Sequence, residues 1–156
     1  MSKIKPLVEW TDELSVQIEE IDEQHKILVG LINQLYESII VQNSTIEVDR
    51  VLDELVQYTI IHFAVEESLM RIFHYPNHDE HKHHHEALTK QVIDIQNKVK
   101  NKEAEVSMEL LNFLRSWLTN HIMIEDKQYI PFFLENGVQP SWKGKKWAGK
   151  IWKFFR

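Results

Sequence analysis

Apolar positions recur along this chain at alternating intervals of three and four, the repeat that lines one face of an α-helix. Ile18, Ile21, His25, Leu28, Ile32, Leu35 and Ile39 follow it and predict a first helix. Ser44-Thr45-Ile46-Glu47 has the form of a capping box, and behind it Val48, Leu52, Leu55, Thr59, His62, Glu66, Leu69 and Phe73 predict a second. Tyr75-Pro76 breaks the chain. Asn77, with Glu80 three residues on, resembles another cap and opens a third stripe of His81, His85, Leu88, Val92, Ile95 and Val99. After the polar stretch KNKEAE, Leu110, Leu114, Trp117, His121 and Ile124 form a fourth stripe that closes near Pro131. No glycine lies between Gly30 and Gly137, which favours long helices and argues against a β-rich fold. Helices of about 20 to 28 residues joined by short connections imply antiparallel neighbours. The expected fold is therefore all-α, an up-down-up-down antiparallel four-helix bundle.

Composition narrows the chemistry. A length of 156 residues, with 43% apolar and 27% charged residues, suits one globular domain. There is no cysteine, so any metal must be held by histidine nitrogen and carboxylate oxygen. The start, MSKIKPLVEW, has no apolar signal region, and no run approaches the length of a membrane span; a cytoplasmic protein is expected.

Each of the four stripes is interrupted by a residue that can bind metal: His25 in the first, His62 and Glu66 in the second, His81 and His85 in the third, His121 in the fourth. A lone histidine on such a face is ordinarily a satisfied core residue. Five histidines and a carboxylate on the inner faces of four helices need a common explanation, because each buried polar group without a partner is costly. Depth along the bundle agrees. His25 and His62 are nearly equidistant from the turn near position 43, and His81, His85 and His121 nearly so from the turn near 102. At about 1.5 Å per residue all five fall within roughly 6 Å of one level. His62/Glu66 and His81/His85 are i,i+4 pairs whose side chains point the same way. Such a set exceeds the needs of one tetrahedral zinc and fits two metal ions sharing a carboxylate. Within HKHHHE, residues 81–86, His83 and His84 point away from the stripe and are expected to be solvated. His74 and His78 mimic an HxxxH pair, but Tyr75-Pro76 between them spoils the register.

The order H, HxxxE, HxxxH, HxxxxD resembles the hemerythrins, in particular their single-domain form, the bacteriohemerythrins. IDEQHK with His25, HFAVEE with His62 and Glu66, YPNHDEHKHHHE with His81 and His85, and WLTNHIMIED with His121 and Asp126 carry the resemblance across residues 10–133. It implies two iron ions bridged by an oxo or hydroxo group, with O2 as a reversible ligand. His81, His85 and His121 would hold one iron and His25 and His62 the other, with Glu66 and Asp126 bridging. Leu28, Phe63, Trp117, Leu118 and Ile122 flank the ligands as apolar walls that would keep water out, and they serve equally as core packing. Oxygen storage, transport or scavenging without enzymatic turnover is the expected function. The alternatives are an oxygen or redox sensor and a di-iron oxidase or iron-handling protein; a ferritin-like oxidase would use more carboxylates than this core offers. Asp126 stands off the stripe. On a regular helix it lies about 140° from His121, and Glu125 only about 40°. A π-turn between His121 and Asp126 would bring Asp126 onto the metal and leave Glu125 facing away.

Charge marks one further boundary. Residues 141–156 carry six basic residues and no acid, so this tail is +6 and the remainder −12. Such a body does not suit nucleic acid. A bundle over residues 1–140 and a basic amphipathic tail over 141–156 are expected. On a helical wheel Trp147, Ile151, Trp152, Phe154 and Phe155 share an arc opposite Lys146, Lys150, Lys153 and Arg156, the pattern of a segment that lies on anionic lipid. A membrane surface or protein partner is the expected contact, placing the chain peripherally at the inner face of the membrane, and the body is expected to be a monomer.

Overall fold

The computed structural model describes residues 5–103 and 107–137; the proposed tail, 141–156, lies outside the described residues. Helices α1 (Glu19–Glu37), α2 (Thr45–Ile72), α3 (His78–Lys100) and α4 (Met108–Asn120) run in turn, and α4 continues through a π-turn (His121–Asp126) into α5 (Lys127–Glu135). Among the described residues there is no strand, and the fourth rod of the bundle is α4, the π-turn and α5 together. α2 packs chiefly against α1 and α3, and α1 also packs against α4. The all-α four-helix expectation holds.

The stripes are the core. Ile18 just before the first helix and Ile21, Leu28, Ile32 and Leu35 within it share one buried core with Val48, Leu52 and Leu55 of the second and Val92 of the third. Leu69, Phe73, Leu88, Ile95, Val99 and Ile39 are partly buried against them. Burying such side chains stabilises by about 1.5–3 kcal/mol each, which is what holds four marginal helices together. Ser44 caps α2 as expected, its Oγ accepting from the Glu47 amide at 3.2 Å. Asn77 does precede α3, but its side chain makes no capping bond, and α3 begins three residues before His81. Before α1 the chain is pinned to the bundle: Val8 N–H donates to Asn33 Oδ1, and Asn33 Nδ2 donates to Val8 O, both at 2.9 Å.

The fourth stripe differs from its expectation. Leu111, Leu114, Trp117, Leu118, His121 and Ile122 are buried, while Ile124 is exposed and Leu110 is only half-buried. A constant helical repeat cannot be followed through a π-turn, which adds one residue to the turn and shifts everything after it.

Candidate metal centre

All seven expected ligand residues, His25, His62, Glu66, His81, His85, His121 and Asp126, are buried in the middle of the bundle. α1 contributes His25, α2 His62 and Glu66, α3 His81 and His85, and the π-turn His121 and Asp126. The two carboxylates stand between the imidazoles. Glu66 turns Oε1 toward His62 Nε2 at 2.7 Å and Oε2 toward His85 Nε2 at 3.2 Å. Asp126 turns Oδ2 toward His25 Nε2 at 2.8 Å and Oδ1 toward His121 Nε2 at 3.0 Å. Each carboxylate thus divides its oxygens between two groups of histidines. Two sets of ligand atoms lie within 4.8 Å of one another: His25, His62, Glu66 and Asp126 form one, and Glu66, His85, His121 and Asp126 form the other. The sets share both carboxylates.

This geometry suits two cations. Both oxygens of Glu66, both of Asp126 and Nε2 of His81, His85 and His121 are buried without a hydrogen-bond partner. The four carboxylate oxygens lie 2.7–3.2 Å from imidazole nitrogens, so acids and bases crowd one small buried volume. Orphaned buried polar atoms cost about 1–3 kcal/mol each, a cost that bound cations would remove. Charge tells the same story. Burial alone would raise Glu66, yet His62, His25 and His85 hold it well below the ordinary carboxylate range. Asp126 is likewise held low by His121 and His25 against burial and Glu66. Burial pulls His121 down, but Asp126 and Glu125 outweigh it and bring the imidazolium up to about 10.

His81 stands apart. It belongs to neither compact set, and its ring lies edge-on to Tyr75, Tyr129 and His85, with centroids 5.4 Å from the last two. The π-turn anticipated from the spacing of His121 and Asp126 is present. It delivers Asp126 to the cluster, while the Glu125 carboxylate lies on the outer nitrogen of His121. His83 is exposed beside Glu86. His84, expected to be merely solvated, is only half-exposed because it pairs with Glu125 across the α3 and π-turn contact. His74 lies beyond the end of α2 with a positive φ of 56°, so it shares no helical face with His78. Sequence reasoning missed Gln24, whose buried Oε1 accepts from His62 Nδ1–H at 2.6 Å. It also missed Tyr129, pushed well above 10 by burial together with Asp126 and Glu66. Their only signals were adjacency to His25 and a place one turn after Asp126.

Leu28, Phe63, Trp117, Leu118 and Ile122 are all buried. Phe63 stacks on His85, ring centroids 4.0 Å apart and planes 2° from parallel, and it also meets the His62 and His121 rings.

Residues 16–133 match the hemerythrin HHE cation binding domain, a span that holds all seven candidate ligand residues. The chain belongs to the hemerythrin family. Its relatives within the family include a bacteriohemerythrin of Methylococcus capsulatus, 35% identical over 126 residues, covering 80% of this chain and 95% of that one. A bacteriohemerythrin of Stenotrophomonas maltophilia is 38% identical over 125 residues, 79% of each chain. The solved structure of a wild-type hemerythrin superposes with a TM-score of 0.75 at 35% identity, covering 80% of this chain and 96% of that one. Hemerythrin membership makes non-haem di-iron the metal content that the paired ligand sets are matched against.

Proposed function

We propose that this chain binds O2 reversibly at a di-iron centre and serves as a store, carrier or scavenger. The observation that carries the reading is the sharing of Glu66 and Asp126 between two histidine sets, each carboxylate offering one oxygen to either side. His25 and His62 would hold one iron, and His81, His85 and His121 the other, with both carboxylates bridging. Two iron ions held there would supply the electrons for reversible capture of O2. In this assignment the iron held by His25 and His62 would have fewer protein ligands and would be the side left open to a small molecule. His81 would complete the second set, where a cation would give its buried and unpartnered Nε2 a partner.

The rest of the chain's work is exclusion and orientation. Phe63 and Trp117 line the site with aromatic surface, and Leu28, Leu118 and Ile122 fill the adjoining core, which limits the polar surface that water could use there. Gln24 fixes His62 with Nδ1–H outward and Nε2 inward. We read the site as one that holds its ligand without turning it over, a reading supported by relatives named bacteriohemerythrin and hemerythrin. The proposal includes the division into a bundle of residues 1–140 and a membrane- or protein-binding tail of 141–156. Counting iron per purified chain and recording the visible spectrum with and without air tests the oxygen reading. Two irons and a colour that bleaches reversibly on removal of O2 are expected; zinc alone, or no reversible band, overturns it. Slow autoxidation in stopped flow would favour storage over sensing.

A further inference from the structure

His121 is held at both ends. Its Nε2 faces the carboxylates of the cluster, and its Nδ1–H donates to Glu125 Oε2 at 2.8 Å. Glu125 in turn pairs through its other oxygen with His84 Nε2, on α3. The π-turn makes this fork: it puts the residue five positions on against the inner nitrogen of His121 and the residue four positions on against the outer one. Across the site His62 is held in a parallel way, but by the neutral amide of Gln24 at 2.6 Å. The two histidine sets therefore differ in the charge of what supports them. A carboxylate on Nδ1–H draws that proton away and makes Nε2 a stronger donor, whereas an amide oxygen does so only weakly.

We propose that Glu125, clamped by His84, is a positioning residue that keeps His121 aimed at the metal and makes its side of the centre the more electron-donating one. The inference rests on the di-iron reading for its metal, but the hydrogen bond it invokes is made by the chain itself. Glu125 is an orienting group because its side chain is mostly covered, 22% exposed, and held from both sides. An exposed ion pair with His84 alone would do little. What matters is that the pair leaves Glu125 one orientation.

Three variants separate charge, hydrogen bond and clamp. Glu125→Gln keeps an acceptor for Nδ1–H without the charge, Glu125→Ala removes both, and His84→Ala frees the carboxylate. Extraction of ferrous iron by a chelator should accelerate by about 10- to 100-fold in Glu125→Ala, and less in the other two. The midpoint potential should rise in both Glu125 variants, since a weaker donor favours the ferrous state, with His84→Ala shifting the same way by less. Zinc-loaded protein gives a readout free of iron: nitrogen NMR should find a slowly exchanging His121 Nδ1–H that is kept in Glu125→Gln and lost in Glu125→Ala. Folding is checked by far-UV circular dichroism, and the near-isosteric Glu125→Gln decides the matter if Glu125→Ala unfolds. Extraction rates and potentials indistinguishable from the unaltered chain, or a protected ring N–H that survives Glu125→Ala, overturn the proposal. An unaltered chain that binds no iron overturns the di-iron reading instead, and the zinc experiment then still decides the role of Glu125.

Discussion

At the scale of the residue, the second nitrogen of an imidazole decides what the first can do. In the metal-free chain His121, lowered by burial but carried above 6.5 to about 10 by Asp126 and Glu125, is protonated at pH 7. A divalent ion arriving at Nε2 must displace that proton. Uptake of ferrous or zinc ion at pH 7 should therefore release protons, and affinity should climb with pH until about 10. Titration calorimetry in buffers of different ionisation enthalpy measures the release, and uptake without it would contradict the assignment. The same shift bears on the metal-free fold. Because the folded value lies above the unfolded one, His121 contributes stability in full below about 6.5 and loses it as pH rises through about 10. His25, raised by Asp126 and Glu66 against burial, acts in the same sense, while His62, lowered because burial outweighs Glu66, acts against it in acid. A second expectation compares neighbours in one short stretch: His85→Ala should lose iron, and the exposed His83→Ala should keep it, with iron per chain as the measurement. Loss in both would mean that the register of α3 has been misread. Six of the seven candidate ligands were legible because they interrupt an apolar stripe, and Asp126 only through the HxxxxD pattern of the resemblance. Gln24 was not, since a polar residue beside a ligand looks like any surface position until the helix is packed.

At the scale of the element, the fourth rod shows both the reach and the limit of periodicity. A repeat of 3.6 residues carried the stripe from Leu114 to His121 and then failed at Ile124, which is exposed, because the turn there holds one residue more than an α-turn. Spacing alone favoured Glu125; the resemblance chose Asp126, five residues after His121, and the two are reconciled by a helix that widens between them. The turn of Ser38–Gln42 at the end of α1 also widens in this way, and nothing in its sequence announced it. A test follows from the extra residue. Deleting the exposed Met123 should let the π-turn close into an α-turn with both flanking faces still in phase, so the fold and the iron survive while Glu125 leaves His121. Inserting one alanine after Ile124 should instead rotate α5 by about 100° and swing Asp126, Tyr129 and Phe133 off the core. Thermal melting and iron content measure the two. An insertion tolerated as well as the deletion would show that the π-turn is not what sets the phase.

At the scale of the whole molecule, the bundle was readable because one pattern is repeated four times, and the level of the site was readable because antiparallel helices convert distance from a turn into depth. Fine placement, such as His81 standing against Tyr75 and Tyr129 outside both compact sets, depends on packing that periodicity does not encode. The charge of the molecule is just as uneven as its chemistry. A body of −12 is repelled by an anionic surface, whereas the +6 of residues 141–156 is drawn to one, with Trp147, Ile151, Trp152, Phe154 and Phe155 available to enter the lipid boundary. No described helix is long and apolar enough to cross a membrane. Each basic residue near such a surface contributes about 1 kcal/mol, and the attraction fades within a Debye length of about 8 Å at physiological salt. The full chain should thus co-sediment with vesicles containing anionic lipid at low salt and be released at high salt. Residues 1–140 alone, or the full chain with Lys146, Lys150 and Lys153 changed to glutamine, should stay in the supernatant. If all three bind equally, or if the full chain ignores anionic and neutral vesicles alike, the tail is not a lipid anchor, and its aromatic residues are then free to pack on the bundle or on a protein partner.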